Sequence, residues 1–256
     1  YKVMFSEKDG LVDGFSITDL GGNHETKSKI SGTYNSDIKQ IFFKEEGIEY
    51  TKSPVTQEDF CFIHFIGKSF KLNKTKLLKG NFEGKFSNDN KCIDGDIILT
   101  LKSKVDKRLG RITRKINKTK RIADSIKQKI NPIKMMDSLN MNILRKNEIL
   151  SVFVKSDTIE LIIYDGGKED GDKVSLYYDD KLILKSLEIK NNKKIIPLKI
   201  TSKKHTFKIK ALNNGIISPN TMSVKVKVDG KIIDLLSNLN KGESSQIDFL
   251  KSRLKK

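Results

Sequence analysis

The chain has no tryptophan, four prolines, three histidines and two cysteines in 256 residues. With no Trp and six Tyr, flat aromatic platforms for stacking sugars are scarce, and Tyr177 and Tyr178 are the nearest candidates. The histidines His24, His64 and His205 lack metal-ligand spacing and there is no Cys-x-x-Cys, which argues against zinc. There is no Gly-x-Ser-x-Gly elbow, no P-loop and no Gly-x-Gly-x-x-Gly opening a helix, so nothing in the sequence supports a hydrolase or a nucleotide enzyme. No run of about 18 apolar residues occurs, which excludes a membrane-spanning helix. A charged-then-apolar leader is also missing. Because "YKVMFS" reads as the middle of a strand, the expectation is that the natural amino terminus lies upstream of Tyr1.

Charge is abundant and unevenly placed. The 50 Lys+Arg and 32 Asp+Glu give a net +18, and the hydrophobic share of 36% predicts thin, sheet-like cores. Residues 1–102 hold 15 Lys, no Arg and 15 acids, a net of zero. Residues 103–137 hold 12 basic and 3 acidic residues, a net of +9, and residues 138–256 carry the other +9. Phosphate binding needs a local basic surface, so the first third is a poor nucleic-acid binder.

Residues 1–102 read as short alternating runs, "DGFSITDL", "KISGTY", "IKQIFFKEE", "DFCFIHF", "LKGNFEGKF" and "CIDGDIILTL", separated by Gly, Asn, Asp and Ser. That pattern predicts an antiparallel sandwich or small barrel. Alternation puts Cys61, Ile63 and Phe65 on one face of their strand and Phe62 and His64 on the other. From about 147 the β pattern returns in eight or nine runs, among them "TIELIIY", "DKVSLYY", "HTFKIKAL" and "NTMSVKVKV". An immunoglobulin-like or jelly-roll sandwich is the natural reading, with Pro197 marking an edge strand or bulge. The fold class is therefore mainly β: two antiparallel sandwich or barrel-like domains, 1–102 and 138–256, joined by a long basic amphipathic helix in 103–137.

That helix is read from Val105, Leu109, Ile112, Ile116, Thr119, Ala123, Ile126, Ile130 and Ile133, spaced alternately by four and three. Pro132 should stop it near residue 130, giving about 27 residues and roughly 40 Å of length at 1.5 Å per residue. The stripe suits a partner or a neighbouring sheet. Its cations Arg108, Arg111, Arg114, Lys115, Lys118 and Arg121 also suit an anionic membrane surface. The segment has no aromatic residue for base stacking, so nucleic acid is the weakest of the three partner classes.

Cys61 and Cys92 lie 31 positions apart in two strands of one domain. In an exported protein they pair as a disulfide contributing ~3 to 4 kcal/mol; in a cytoplasmic one they stay unlinked, buried thiols. The stretch "YDGGKEDGDKVSLYY" places Asp165, Glu169, Asp170 and Asp172 around three glycines. An EF-hand fails, because setting Gly171 at loop position 6 puts Gly166 at position 1, Lys168 at 3 and Tyr177 at 12. Acids crowded on one loop cannot straddle a sugar as glycoside hydrolysis requires. Two readings remain, a calcium-type oxygen site formed by the four acids or an Asp-Gly turn entering a strand. "CIDGDIILTL" repeats the Asp-Gly-Asp step and favours the turn for half of it.

The string "IELIIYDGGKEDGDKVSLYYDDKLIL" with "HTFKIKALNNGIISPNTMSVKVKVDGK" resembles a β-sandwich module recurring in exported and envelope proteins of Bacteroidota-type bacteria. Its marks fall on Asp165, Glu169 to Asp172, Ala211 to Gly215 and Pro219 to Thr221, within roughly residues 148–250. Asn214 stands where that pattern would have an acid, which removes one cation ligand. Less closely, residues 1–102 are similar to small all-β lipoprotein domains of the same bacteria. The resemblance implies an exported protein of the periplasm, outer membrane or cell surface of a Gram-negative cell, and supports the disulfide. The expectation is a non-enzymatic envelope protein, a lipoprotein or accessory subunit of an outer-membrane or secretion assembly, partnered by other envelope proteins. The alternative is a calcium-dependent carbohydrate- or lipid-binding module.

Overall fold

The computed structural model describes residues 1–54, 59–72, 75–119, 142–216 and 218–251. Over these residues the chain is mainly β, with seventeen strands and one helix. It divides into two compact units. The first comprises Tyr1–Leu20, Thr26–Ile48 and Pro54–Asn140, and the second Gly21–Glu25, Glu49–Ser53 and Met141–Lys256.

In the first unit seven consecutive strands form a meander: β1 (Lys2–Lys8), β2 (Leu11–Thr18), β3 (Thr26–Asn35), β4 (Gln40–Thr51), β5 (Phe62–Leu72), β6 (Thr75–Lys85) and β7 (Lys91–Thr100). Each is hydrogen-bonded to the next. Alternation sends one side chain in two inward, so Val12, Ile30, Ile41, Phe43 and Phe65 make a buried cluster, lapped by Val3, Ile63, Leu78, Phe82 and Ile97. The Phe43 and Phe65 rings stack with centroids 4.9 Å apart. All seven strands feed one interior, as in an open barrel. Helix α1 (Lys102–Lys118) follows β7 directly. The sequence places this helix's start near Val105 and its end near 130; the remainder of the heptad stripe, from Ala123 to Ile133, lies outside the described residues.

The second unit is a sandwich. One sheet runs β9 (Ile149–Val154), β17 (Ser244–Lys251), β14 (Lys204–Ala211), β11 (Lys173–Tyr178) and β12 (Lys181–Glu188). The other runs β13 (Lys194–Lys199), β10 (Thr158–Tyr164), β15 (Asn220–Val228), β16 (Lys231–Leu239) and β8 (Asn142–Leu144). Inward residues of both sheets, among them Leu161, Leu176, Phe207, Val224, Leu235 and Phe249, build one core. Burying each such side chain contributes roughly 1.5–3 kcal/mol. Pro197 sits on the edge strand β13, where its missing N–H costs no ladder bond.

Two expectations are corrected. The sandwich is not wholly antiparallel, because β9 pairs with β17 and β8 with β16 in parallel. Nor does the first unit contain all of residues 1–102. Residues 21–25 and 49–53 belong to the second unit, since Tyr50 and Thr51 at the end of β4 pair with Val152 and Ser151 of β9. Tyr50 is buried in the sandwich core and donates to the Glu25 carboxylate at 3.1 Å. Lys52, whose side chain is 2% exposed, donates to the Ile143 carbonyl at 2.7 Å and pairs with Glu148 at 3.2 Å.

Candidate functional site

Among the connections that cross between the two sheets of the sandwich at one end are 165–172 between β10 and β11, 189–193 between β12 and β13, and the segment from Leu212 to β15. They are tied together by short-range polar chemistry. The Asp165 N–H donates to the Lys190 carbonyl at 2.8 Å, and the Asp165 carboxylate accepts from the Gly167 N–H at 2.7 Å. Asn191 donates through its side-chain amide to the carbonyls of Asp165 and Gly167, both at 2.9 Å. Its own N–H donates to the Glu169 carboxylate at 2.6 Å. On the other side, Asn213 donates to the Gly171 carbonyl and accepts from the Lys173 N–H, each at 2.7 Å. The Ile216 N–H donates to the Asp170 carbonyl at 2.9 Å.

This network separates the four acids that the sequence groups as one site. Glu169 is exposed and turned toward Asn191, and Asp165 is buried but engaged in its own turn. Asp170 and Asp172 come together. An ideal Cβ built on Gly215 would stand 2.6 Å from Asp172 Oδ1 and 2.7 Å from both oxygens of Asp170, so three carboxylate oxygens converge on a point that only a glycine leaves open. Gly215 also has φ +64°, a second reason for its identity. Asp172 is 1% exposed; its Oδ2 accepts from the Thr221 N–H at 2.7 Å, while Oδ1 has no hydrogen-bond partner. Burial, followed by the neighbouring charges of Asp170 and Asp165, pushes the Asp172 carboxyl up to about 6 against the Thr221 hydrogen bond. Among the described residues no three acidic, imidazole or thiol side chains meet in the arrangement a metal needs, so the expected four-acid cage is corrected to a two-carboxylate pair. Its cause is the hydrogen bonding of Asp165 within its own turn and of Glu169 to Asn191.

The second Asp-Gly-Asp behaves differently. Asp94, Gly95 and Asp96 lie inside β7 rather than ahead of it, exposed, with Asp96 accepting from the Asn81 amide at 2.6 Å and Asp94 paired with Lys91 at 3.0 Å. The repeat is one of letters, not of structure.

Cys61 and Cys92 form a disulfide with their Cα atoms 6.1 Å apart. Cys61 immediately precedes β5 and Cys92 lies in β7, so the bond passes over β6, the strand between them. Beneath it is Gly84, where a Cβ would fall 2.3 Å from Cys61 Sγ.

The sequence gives no sign of the polar group around His205, which is 7% exposed. Its Nδ1 lies 2.7 Å from Asp179 Oδ2, its Nε2 lies 3.1 Å from Ser202 Oγ, and its ring stacks on Tyr178. The order Asp, His, Ser is that of a nucleophile triad, but the chemistry is not. Nε2 accepts the N–H groups of Thr201 and Ser202, both at 2.9 Å, and Ser202 Oγ donates to the Lys204 carbonyl at 2.7 Å. The lone pair a general base would use is already occupied, so His205 ties a turn. Burial would raise the Asp179 carboxyl, but hydrogen bonds from the Thr206 N–H and His205 hold it below its ordinary value.

In the first unit a cavity of about 950 Å³ opens between β1 and β7, lined by Met4, Phe15, Leu78, Ile98, Leu101 and Val105. On α1, Val105 and Ile112 are each 40% exposed, flanked by exposed Arg108, Arg111, Arg114, Lys115 and Lys118. Arg121, the last of the expected contact cations, lies outside the described residues. No helix among the described residues is long and apolar enough to cross a membrane.

Together these features define a disulfide-stapled, β-rich protein whose notable surfaces are a basic helix beside an apolar groove and a paired-carboxylate loop. No protein-family model, curated protein or solved structure matches the chain.

Proposed function

We propose that this is a non-enzymatic, exported envelope protein that works by holding an acidic partner protein, as an accessory subunit or lipoprotein of an outer-membrane or secretion assembly. In this reading α1 and the segment after it connect the two β units. The observation that carries it is apolar surface exposed among the described residues in the β1–β7 groove, which Val105 helps to line, and at Ile112 farther along α1, with cations beside it. Helix α1 holds eight Lys or Arg and a single acid, Asp106, which selects a partner of negative charge and sets the encounter rate. The disulfide supports a compartment outside the reducing cytosol.

The test is sizing of the native protein after detergent extraction of envelopes, comparing wild type with Arg108→Glu/Arg111→Glu/Arg114→Glu and Val105→Ser/Ile112→Ser. A stoichiometric complex that both variants lose supports the reading. Retention of the complex by both variants refutes it. Absence of any protein complex, with wild-type binding to phosphatidylglycerol vesicles that the variants lose, replaces the protein partner with a membrane surface.

A further inference from the structure

We propose that the partner docks by strand addition, laying one extended segment, acidic and then apolar, between β1 and β7 so that the open barrel closes. The inference rests on the protein-contact reading above and adds the mode of contact. Consecutive strands of the meander are antiparallel, and β3 passes to β4 through residues 36–39, too few for a parallel crossover. After six reversals β1 and β7 run in the same direction. Direct closure would need a parallel pair in an otherwise antiparallel sheet, whereas one strand placed between them runs antiparallel to both. Among the described residues β1 pairs only with β2 and β7 only with β6, so each has an outer edge of backbone N–H and C=O groups without a strand partner. An acyl chain would leave those groups unmatched, which favours a peptide over a lipid.

The side chains along the groove set what the segment carries. Residues 1–6 line one wall and 98–102 the other, room for about five extended residues at roughly 3.4 Å each. Val3 laps the core and Leu99 pairs with Leu78, which does the same, so alternation puts Val3, Phe5 and Leu99 on the inner face. Met4, its partner Phe15 and Ile98 then belong to the outer face, and all six line the groove. Both faces of an inserted strand would meet apolar side chains, so the segment is a continuous apolar run rather than an alternating one. Asp13 is the one acid lining the groove, against Lys2 and Lys102. β7 leads directly into α1, whose first turns place Lys102 and Val105 at the groove. A segment antiparallel to β7 enters from that end, so its acids, drawn to the cations of α1, precede the apolar run.

The experiment uses the full chain and a fluorescent synthetic peptide, a run of glutamates followed by Val-Ile-Val-Ile-Val. Saturable binding by anisotropy is expected, with hydrogen exchange showing amide protection gained in both β1 and β7. N-methylation of every second apolar residue removes edge bonds and should weaken binding roughly tenfold or more. The peptide of reversed order, apolar run first, should also bind less tightly. Met4→Asp/Ile98→Asp, at two exposed positions of the groove, should lose about tenfold. Ile232→Asp, similarly exposed in the second unit, should bind as wild type. No saturable binding up to about 1 mM, equal affinity for the N-methylated peptide, or protection confined to one of the two strands overturns the proposal. So does a wild-type dimer that the peptide dissociates, which gives the groove to a second copy, or laurate that displaces the peptide without protecting either strand, which gives it to an acyl chain. If an envelope complex survives Met4→Asp/Ile98→Asp but not the charge reversal on α1, strand addition fails and the contact reading stands. If no envelope complex forms yet the peptide protects both strands, the contact reading fails and the strand-accepting groove stands. Should Met4→Asp/Ile98→Asp not fold, exchange in the wild type with the plain and N-methylated peptides decides.

Discussion

Removing the Cys61–Cys92 bond should destabilise the first unit by an amount set by the chain it closes. With a sequence separation of 31, the loop-entropy relation gives about 3.7 kcal/mol at 25 °C. That is a large fraction of the stability of a small domain. Gly84 makes the test specific to this structure rather than to disulfides generally. Its Cβ would stand 2.3 Å from Cys61 Sγ and 3.0 Å from both the Ile93 side chain and carbonyl. The sulfur is pinned at both ends and cannot swing aside as a flexible side chain would. Gly84→Ala should therefore cost more in the oxidised protein than in Cys61→Ser/Cys92→Ser, with a coupling of about 1–2 kcal/mol, inside the range found for residues in contact. Hydrogen exchange read by mass spectrometry over β5 to β7 isolates this unit, which a whole-chain melting curve of a two-unit protein would not. Equal cost of Gly84→Ala in both backgrounds would refute the strand-crossing geometry. Unchanged protection on reduction would refute the staple.

Glu45 is buried and accepts from Ser16 at 2.5 Å, Tyr1 at 3.2 Å and the Ile63 N–H at 2.9 Å. Desolvation pushes its carboxyl up despite these bonds. The charged form is thus disfavoured in the fold, and its penalty appears as pH rises through the raised value. Glu45→Gln should match wild type in acid and exceed it near pH 8 in urea midpoint, whereas Glu45→Ala strands the Ile63 N–H and should lose roughly 2–3 kcal/mol. Lys52→Ala leaves Glu148 and the Ile143 carbonyl without their buried partner and should cost about 3 kcal/mol, which Lys52→Met/Glu148→Leu should largely restore in denaturation assays. The Asp179 carboxyl is held low, so its contribution to stability is present above the unfolded value and fades as pH falls through the folded one. Asp179→Asn should flatten that acid limb and cost roughly 1–2 kcal/mol at neutral pH, since an amide cannot accept from both the Thr206 N–H and His205; an unchanged acid limb would rule out this account.

Alternation made most strands readable. In "NTMSVKVKV", Asn220, Met222, Val224, Val226 and Val228 are the buried set, every second residue of β15. Pro197 marked the edge strand because proline cannot serve an inner ladder. The disulfide was open to sequence reasoning since two cysteines in one small domain leave one pairing. Strand partners far apart in the chain were not legible. Nothing local in Ile149–Val154 announces that it runs parallel to Ser244–Lys251, nor that the end of β4 joins a different core from its beginning. The acidic site was half legible. Composition flags Asp165, Glu169, Asp170 and Asp172, but which of them turn inward is decided by Asn191 and Thr221, distant residues whose roles no spacing rule encodes.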